Sequence, residues 1–70
     1  MTELEAIGYL LYSTGNVVDA SQLQPELERM VELRMMNTLR QAIRALGGIE
    51  KSVKILTLVR DLIVAAGPHA

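Results

Sequence analysis

An all-α fold is predicted for this chain: a three-helix bundle or helical hairpin with a short N-terminal helix, a long central helix and an apolar C-terminal helix, completed by dimerisation. Three observations predict it. Apolar residues recur at helical spacing along three segments. Glycine-containing steps at Gly15, Gly47-Gly48 and Gly67-Pro68 punctuate those segments. Half of the 70 residues are apolar, more than so short a chain can hide in an interior of its own.

The first helix is predicted over about Thr2 to Ser13. Thr2 and Glu5 have capping-box spacing, in which hydroxyl and carboxylate each accept the other residue's amide. Leu4, Ile7, Gly8 and Leu11 follow at i, i+3, i+4, i+7, which marks them as the inward stripe. Gly8 costs helix propensity, so its place in the stripe implies a close helix-helix approach. Gly15 is suited to a left-handed residue ending the helix. Val17 and Val18 then read as an apolar plug into the core. Asp19 or Ser21 caps the next helical segment, and Asp19 with Gln22 repeats the capping-box spacing. Pro25 either lies in a first helical turn or divides a short turn at Ala20 to Gln24 from a new helix.

From Pro25 to Leu46 there is no further Gly or Pro, and one central helix is predicted across residues 25–46. Leu27, Val31, Met35, Leu39, Ala42, Ile43 and Leu46 wind along one face, with Glu26, Arg29, Asn37, Arg40 and Arg44 opposite. Met30 and Leu33 sit among those polar residues and suggest a second contact surface. At 1.5 Å per residue such a helix is about 33 Å long. A compact 70-residue domain is roughly 28 Å across, so the helix is at least as long as the domain.

The third helix is predicted over residues 49–66, ended by Gly67-Pro68. Its polar side is a narrow line, Glu50, Lys54, Thr57 and Asp61. A surface helix needs an apolar stripe of only about 100°, whereas this one is apolar around some two thirds of its circumference. Two neighbours from its own chain would struggle to cover it. The expected organisation is one helical domain over residues 1–66 with a tail at 67–70.

Charge and composition narrow the function classes. Residues 1–32 carry six acids against Arg29, a sum of -5, and residues 33–70 carry six bases against Glu50 and Asp61, a sum of +4, which together make the net -1. Helix macrodipoles favour this polarity, and so would antiparallel pairing of Glu26, Glu28 and Glu32 with Arg40 and Arg44 across a twofold axis. With no cysteine there is neither a disulfide framework nor a thiolate metal site. Two tyrosines and no other aromatic residue make no base-stacking platform.

Catalysis finds little to work with. The single histidine, His69, lies in the tail; no Cys/His pair or glycine-rich phosphate loop exists, and Glu28 and Glu32 lack a histidine partner for a metal motif. No enzymatic activity, metal or cofactor is expected. Acidic Glu3 and Glu5 do not fit a signal peptide, and the apolar run Ile55 to Ala66 is interrupted by Arg60 and Asp61 and falls short of the roughly 20 residues of a membrane span. A cytoplasmic protein is therefore expected.

The first 25 residues resemble, in pattern, the opening of a winged-helix domain, which would send the helix after Pro25 into a DNA groove. Its first turns carry Glu26, Glu28 and Glu32, however, and no strand pair comes after it to make a wing. The leading expectation is a non-enzymatic helical interaction module that self-associates as a homodimer through the second and third predicted helices. The residues assigned to its interface are Met30, Leu33, Met36, Ile55, Leu58, Val59 and Leu62. An adaptor, inhibitor or co-chaperone covering a heterologous protein's helix is the alternative, and a small helix-turn-helix-like DNA-binding regulator the second.

Overall fold

The computed structural model describes residues 1–33 and 37–67. Helix α1 spans Glu3–Ser13, a 3₁₀ turn Ala20–Gln22, α2 Leu23–Glu32, α3 Asn37–Ala45 and α4 Ile49–Ala66. All regular structure among the described residues is helical, and the helices pack as a bundle in which α1 lies chiefly against α3, with α4 against α1 and α2.

The start of α1 forms as its sequence dictates. The Glu5 amide donates to the Thr2 hydroxyl at 3.1 Å and the Thr2 amide donates to the Glu5 carboxylate at 2.8 Å. The inward face is another matter. Ala6, Leu10 and Thr14 are fully buried, while Leu4 and Gly8 are exposed. The buried line is thus rotated by about a third of a turn from the expected Leu4–Ile7–Gly8–Leu11 stripe. A side chain at Gly8 would meet nothing within 4 Å, so no close approach requires this glycine. Because α1 is apolar nearly all round, its own pattern cannot choose a face; packing against α3 chooses the one bearing small Ala6.

Thr14 ends α1, its amide and hydroxyl both donating to the Leu10 carbonyl at 2.9 and 2.7 Å. Gly15 does not take the left-handed conformation expected of it; the positive-φ glycines are Gly47, Gly48 and Gly67. Of the two valines, Val17 enters the core and Val18 faces solvent. Asp19 caps the 3₁₀ turn by accepting from the Ser21 amide at 3.0 Å, so the second capping box does not form. Pro25 falls in the first turn of α2, where a missing amide hydrogen costs nothing because those amides have no intrahelical acceptor.

The predicted central helix over 25–46 is two helices. The first ends at Glu32, with Leu33 donating back to the Arg29 carbonyl at 3.0 Å, and α3 begins anew at Asn37. Met35, assigned to the apolar stripe, lies outside the described residues, as do Arg34 and the tail residue His69. The physical reason for the division is burial. Leu23 and Leu27 of α2 and Leu39, Ala42, Ile43 and Leu46 of the α3 segment all belong to one core. In one straight helix Leu27 and Leu39 would stand about 18 Å apart along the axis, whereas the division lets both segments pack on one core.

Gly47 and Gly48, at φ 94° and 110°, turn the chain from α3 into α4. The Gly48 amide closes α3 on the Ile43 carbonyl at 3.0 Å, and the Gly48 carbonyl opens α4 by accepting from the Ser52 amide at 2.9 Å. The buried Ser52 hydroxyl returns to the same Ile43 carbonyl at 3.4 Å, so both of the core's buried hydroxyl groups are partnered.

Candidate interaction surface

Helix α4 has 18 residues and is therefore about 27 Å long. Its inward line begins at Ile49 and runs through Ser52 and Leu56 toward Val59 and Ile63. Ser52 and Leu56 are fully buried, and Ile49, Val53, Ile55 and Val59 are partly buried or exposed only in part. Beyond Arg60 every residue from Asp61 to Ala66 is exposed. Ile63 continues the core-facing line yet is 57% exposed. The final turns of α4 therefore form an arm that stands clear of the bundle.

A second apolar line flanks the first. Ile55, Leu58 and Leu62 recur at i, i+3, i+7, the spacing of a helix-pairing seam. Leu58 is 61% and Leu62 60% exposed, whereas Ile55 at the body end packs partly on the core. Lys54 and Asp61 border this seam on its polar side, seven residues apart. Both are exposed, and neither forms an ion pair among the described residues.

The seven assigned interface residues are thus placed unequally. Ile55, Leu58, Val59 and Leu62 share the flank of α4. Met30 is half-turned into the core, and Leu33, 56% exposed, stands at the end of α2, on a separate helix from the seam. Met36 lies outside the described residues. Ile63 and Val64 are not among the residues assigned from sequence, yet both are exposed, Val64 at 78%. Ile63 continues the core-facing line, while Val64 follows Thr57 and Asp61 on the polar line.

Arg60 is the other residue that spacing could not reveal. Its guanidinium donates to the Val17 carbonyl and, at 3.0 Å, to that of Val18, clamping the connection after α1 onto α4. The remaining charges are mostly local. Arg29 binds Glu26 two-pronged, at 2.8 and 3.1 Å, which holds the Glu26 carboxyl below the usual carboxylate range and raises the guanidinium. Glu26 is thereby already engaged within α2, although the charge pattern had offered it to Arg40 or Arg44. The exposed face of α2 keeps Glu28 and Glu32.

At the opposite end of α4 from the arm lies an open groove of about 600 Å³, with Val31, Ile43 and Ile49 as its floor and Arg40 and Arg44 at its rim. One Arg40 nitrogen is 3.4 Å from the Val31 carbonyl. Among the described residues there is no group of three or more His, Asp or Glu able to hold a metal ion, and no helix long and apolar enough to cross a membrane. Comparison with known protein families, curated proteins and solved structures finds no match to this chain.

Proposed function

We propose that this protein is a non-enzymatic helical interaction module that self-associates as a homodimer, with the outer flank and arm of α4 as the principal surface and Leu33 of α2 as an outlying contact. The observation that carries the reading is the bare apolar arm: Leu58, Leu62, Ile63 and Val64 are each more than half exposed on one ordered helix. Scattered exposed apolar residues, such as Val64 on the polar line, need no explanation, but the adjoining Leu58, Leu62 and Ile63 on one side of a helix do.

Surface area supports the same reading. A compact monomer of 7.7 kDa exposes about 4,300 Å² by size scaling. This chain exposes 5025 Å², an excess of about 700 Å². A standard interface removes about 800 Å² from each partner, so one helix-mediated contact absorbs the surplus. At about 25 cal/mol per Å² of apolar area, burial of the arm supplies the driving force.

Sedimentation of the purified protein at micromolar concentration tests the proposal. A dispersed species of twice 7.7 kDa is expected. A clean monomer would refute it, whereas a chain that aggregates or lacks fixed tertiary structure when purified alone would favour a heterologous protein partner for the same surface.

A further inference from the structure

We infer that two copies pair through α4 in antiparallel register, with Leu58 at the twofold axis and Lys54 of each copy against Asp61 of the partner subunit. The inference rests on the self-association proposed above and adds the direction and register of the pairing. Three features of α4 converge on one centre. Leu58 is the middle residue of the seam, between partly buried Ile55 and exposed Leu62. Ile55 and Leu62 are placed on either side of it so that each meets the other's copy. Lys54 and Asp61, on the polar border of the same seam, are also centred within one residue of Leu58.

Opposite charges on one flank of a helix are self-complementary only when the partner runs the other way. In a parallel pair, equal residues stand at equal heights. Lys54 and Asp61 of the partner subunit would then be separated by about 10 Å along the axis and could not meet. In the antiparallel pair both ion pairs form at once by symmetry. Among the described residues neither has an ion-pair partner in its own chain that would be lost in the exchange. Direction also decides what the arms face. Antiparallel pairing lays each bare arm alongside the body-bound half of the other α4, whereas parallel pairing sets bare arm beside bare arm and leaves their outer sides in water. The surplus of about 700 Å² per chain is of the size such a contact removes.

A charge-swap cycle tests this, read by sedimentation across a concentration series. Lys54 and Asp61 are exposed, so Lys54→Glu and Asp61→Lys should leave the circular dichroism spectrum unchanged. Each should raise the dimer Kd about tenfold, since each replaces two attractions by two repulsions, and the double variant should return to within about threefold of wild type. Disulfide trapping gives an independent reading, because the chain has no cysteine of its own. A mixture of Ile55→Cys and Leu62→Cys proteins should cross-link, while Leu62→Cys alone should not. Wild-type dimer with no charge dependence, or ready self-linking of Leu62→Cys, would overturn the antiparallel register while leaving self-association standing. A wild-type monomer would overturn both.

Discussion

Leu56 and Leu62 offer a matched pair of substitutions on one helix. Leu56 is fully buried at the centre of the α4 packing face, and Leu62 is 60% exposed six residues later. Leu→Ala changes helix propensity by the same small amount at both sites, so the difference between the variants isolates burial. At Leu56 the lost transfer energy and the cavity left behind together cost about 3 to 5 kcal/mol. A 70-residue domain has a total stability of roughly 4 to 10 kcal/mol, so this change removes a third of it or more. At Leu62 no enclosed cavity forms, and the partial burial amounts to less than about 1 kcal/mol within the monomer. Urea unfolding followed by circular dichroism, at concentrations low enough to dissociate a dimer, is the assay. With a slope near 1 kcal/mol per molar, Leu56→Ala should lower the midpoint by about 3 M or abolish folding, and Leu62→Ala should lower it by less than about 1 M. Equal shifts in the dilute protein would mean that the arm packs on its own bundle, and the division of α4 into a core half and a free half would be wrong.

Replacing Arg60 by methionine keeps the aliphatic stem but removes the donors to the Val17 and Val18 carbonyls; a loss of about 1.5 kcal/mol is expected, seen as a melting temperature lower by about 6 to 10 °C. Gly48→Ala meets no neighbour within 4 Å, yet φ 110° and ψ 176° suit glycine alone, so thermal unfolding should register about 1 to 3 kcal/mol of pure backbone strain. The Glu5 and Asp19 carboxyls are held below their ordinary values of 4.5 and 3.8, chiefly by backbone amide donors from Thr2 and Ser21. Lowered acid pKa values contribute stability that is complete above those ordinary values and is lost as pH falls through the lower folded ones. Unfolding midpoints should therefore decline on the acid side of pH 4.5, and Glu5→Gln with Asp19→Asn should flatten that decline.

Local chemistry in this chain is legible because it is decided within a few residues. The Thr2–Glu5 box, the Gly47-Gly48 turn and the termination of α4 at Gly67 each depend on one turn of backbone, and each forms where its spacing places it. The stripe Leu39–Ala42–Ile43–Leu46 is equally readable, since polar residues fill the other side of α3 and leave only one face to bury. On α1 the same reasoning selects the wrong face. Apolar residues nearly surround that helix, so several stripes fit the spacing and only the neighbour discriminates among them. Gly15 misleads for a related reason: Thr14 already closes the helix through its own amide and hydroxyl, leaving no left-handed position to fill.

The interruption of the predicted central helix is the largest difference between pattern and fold. No Gly or Pro falls between residues 26 and 46, and the weak helix formers Asn37 and Thr38 do not by themselves require a break. The break arises from a global requirement, that Leu27 and Leu39 share one core in a molecule measuring 37 × 24 × 17 Å.

The amino-acid sequence by itself determined the helical class, the Thr2–Glu5 cap, the Gly47-Gly48 turn, the end of the last helix and an apolar surplus concentrated on that helix. Helical period and terminator residues act over single turns, and a surplus is a matter of counting. Which part of that surplus is bare was decided only by the tertiary structure. Leu56 and Ile63 lie on nearly the same line of α4, one fully buried and the other 57% exposed. What separates them is the packing of the other helices on α4, which brings together segments far apart in the chain and which no local pattern on α4 encodes.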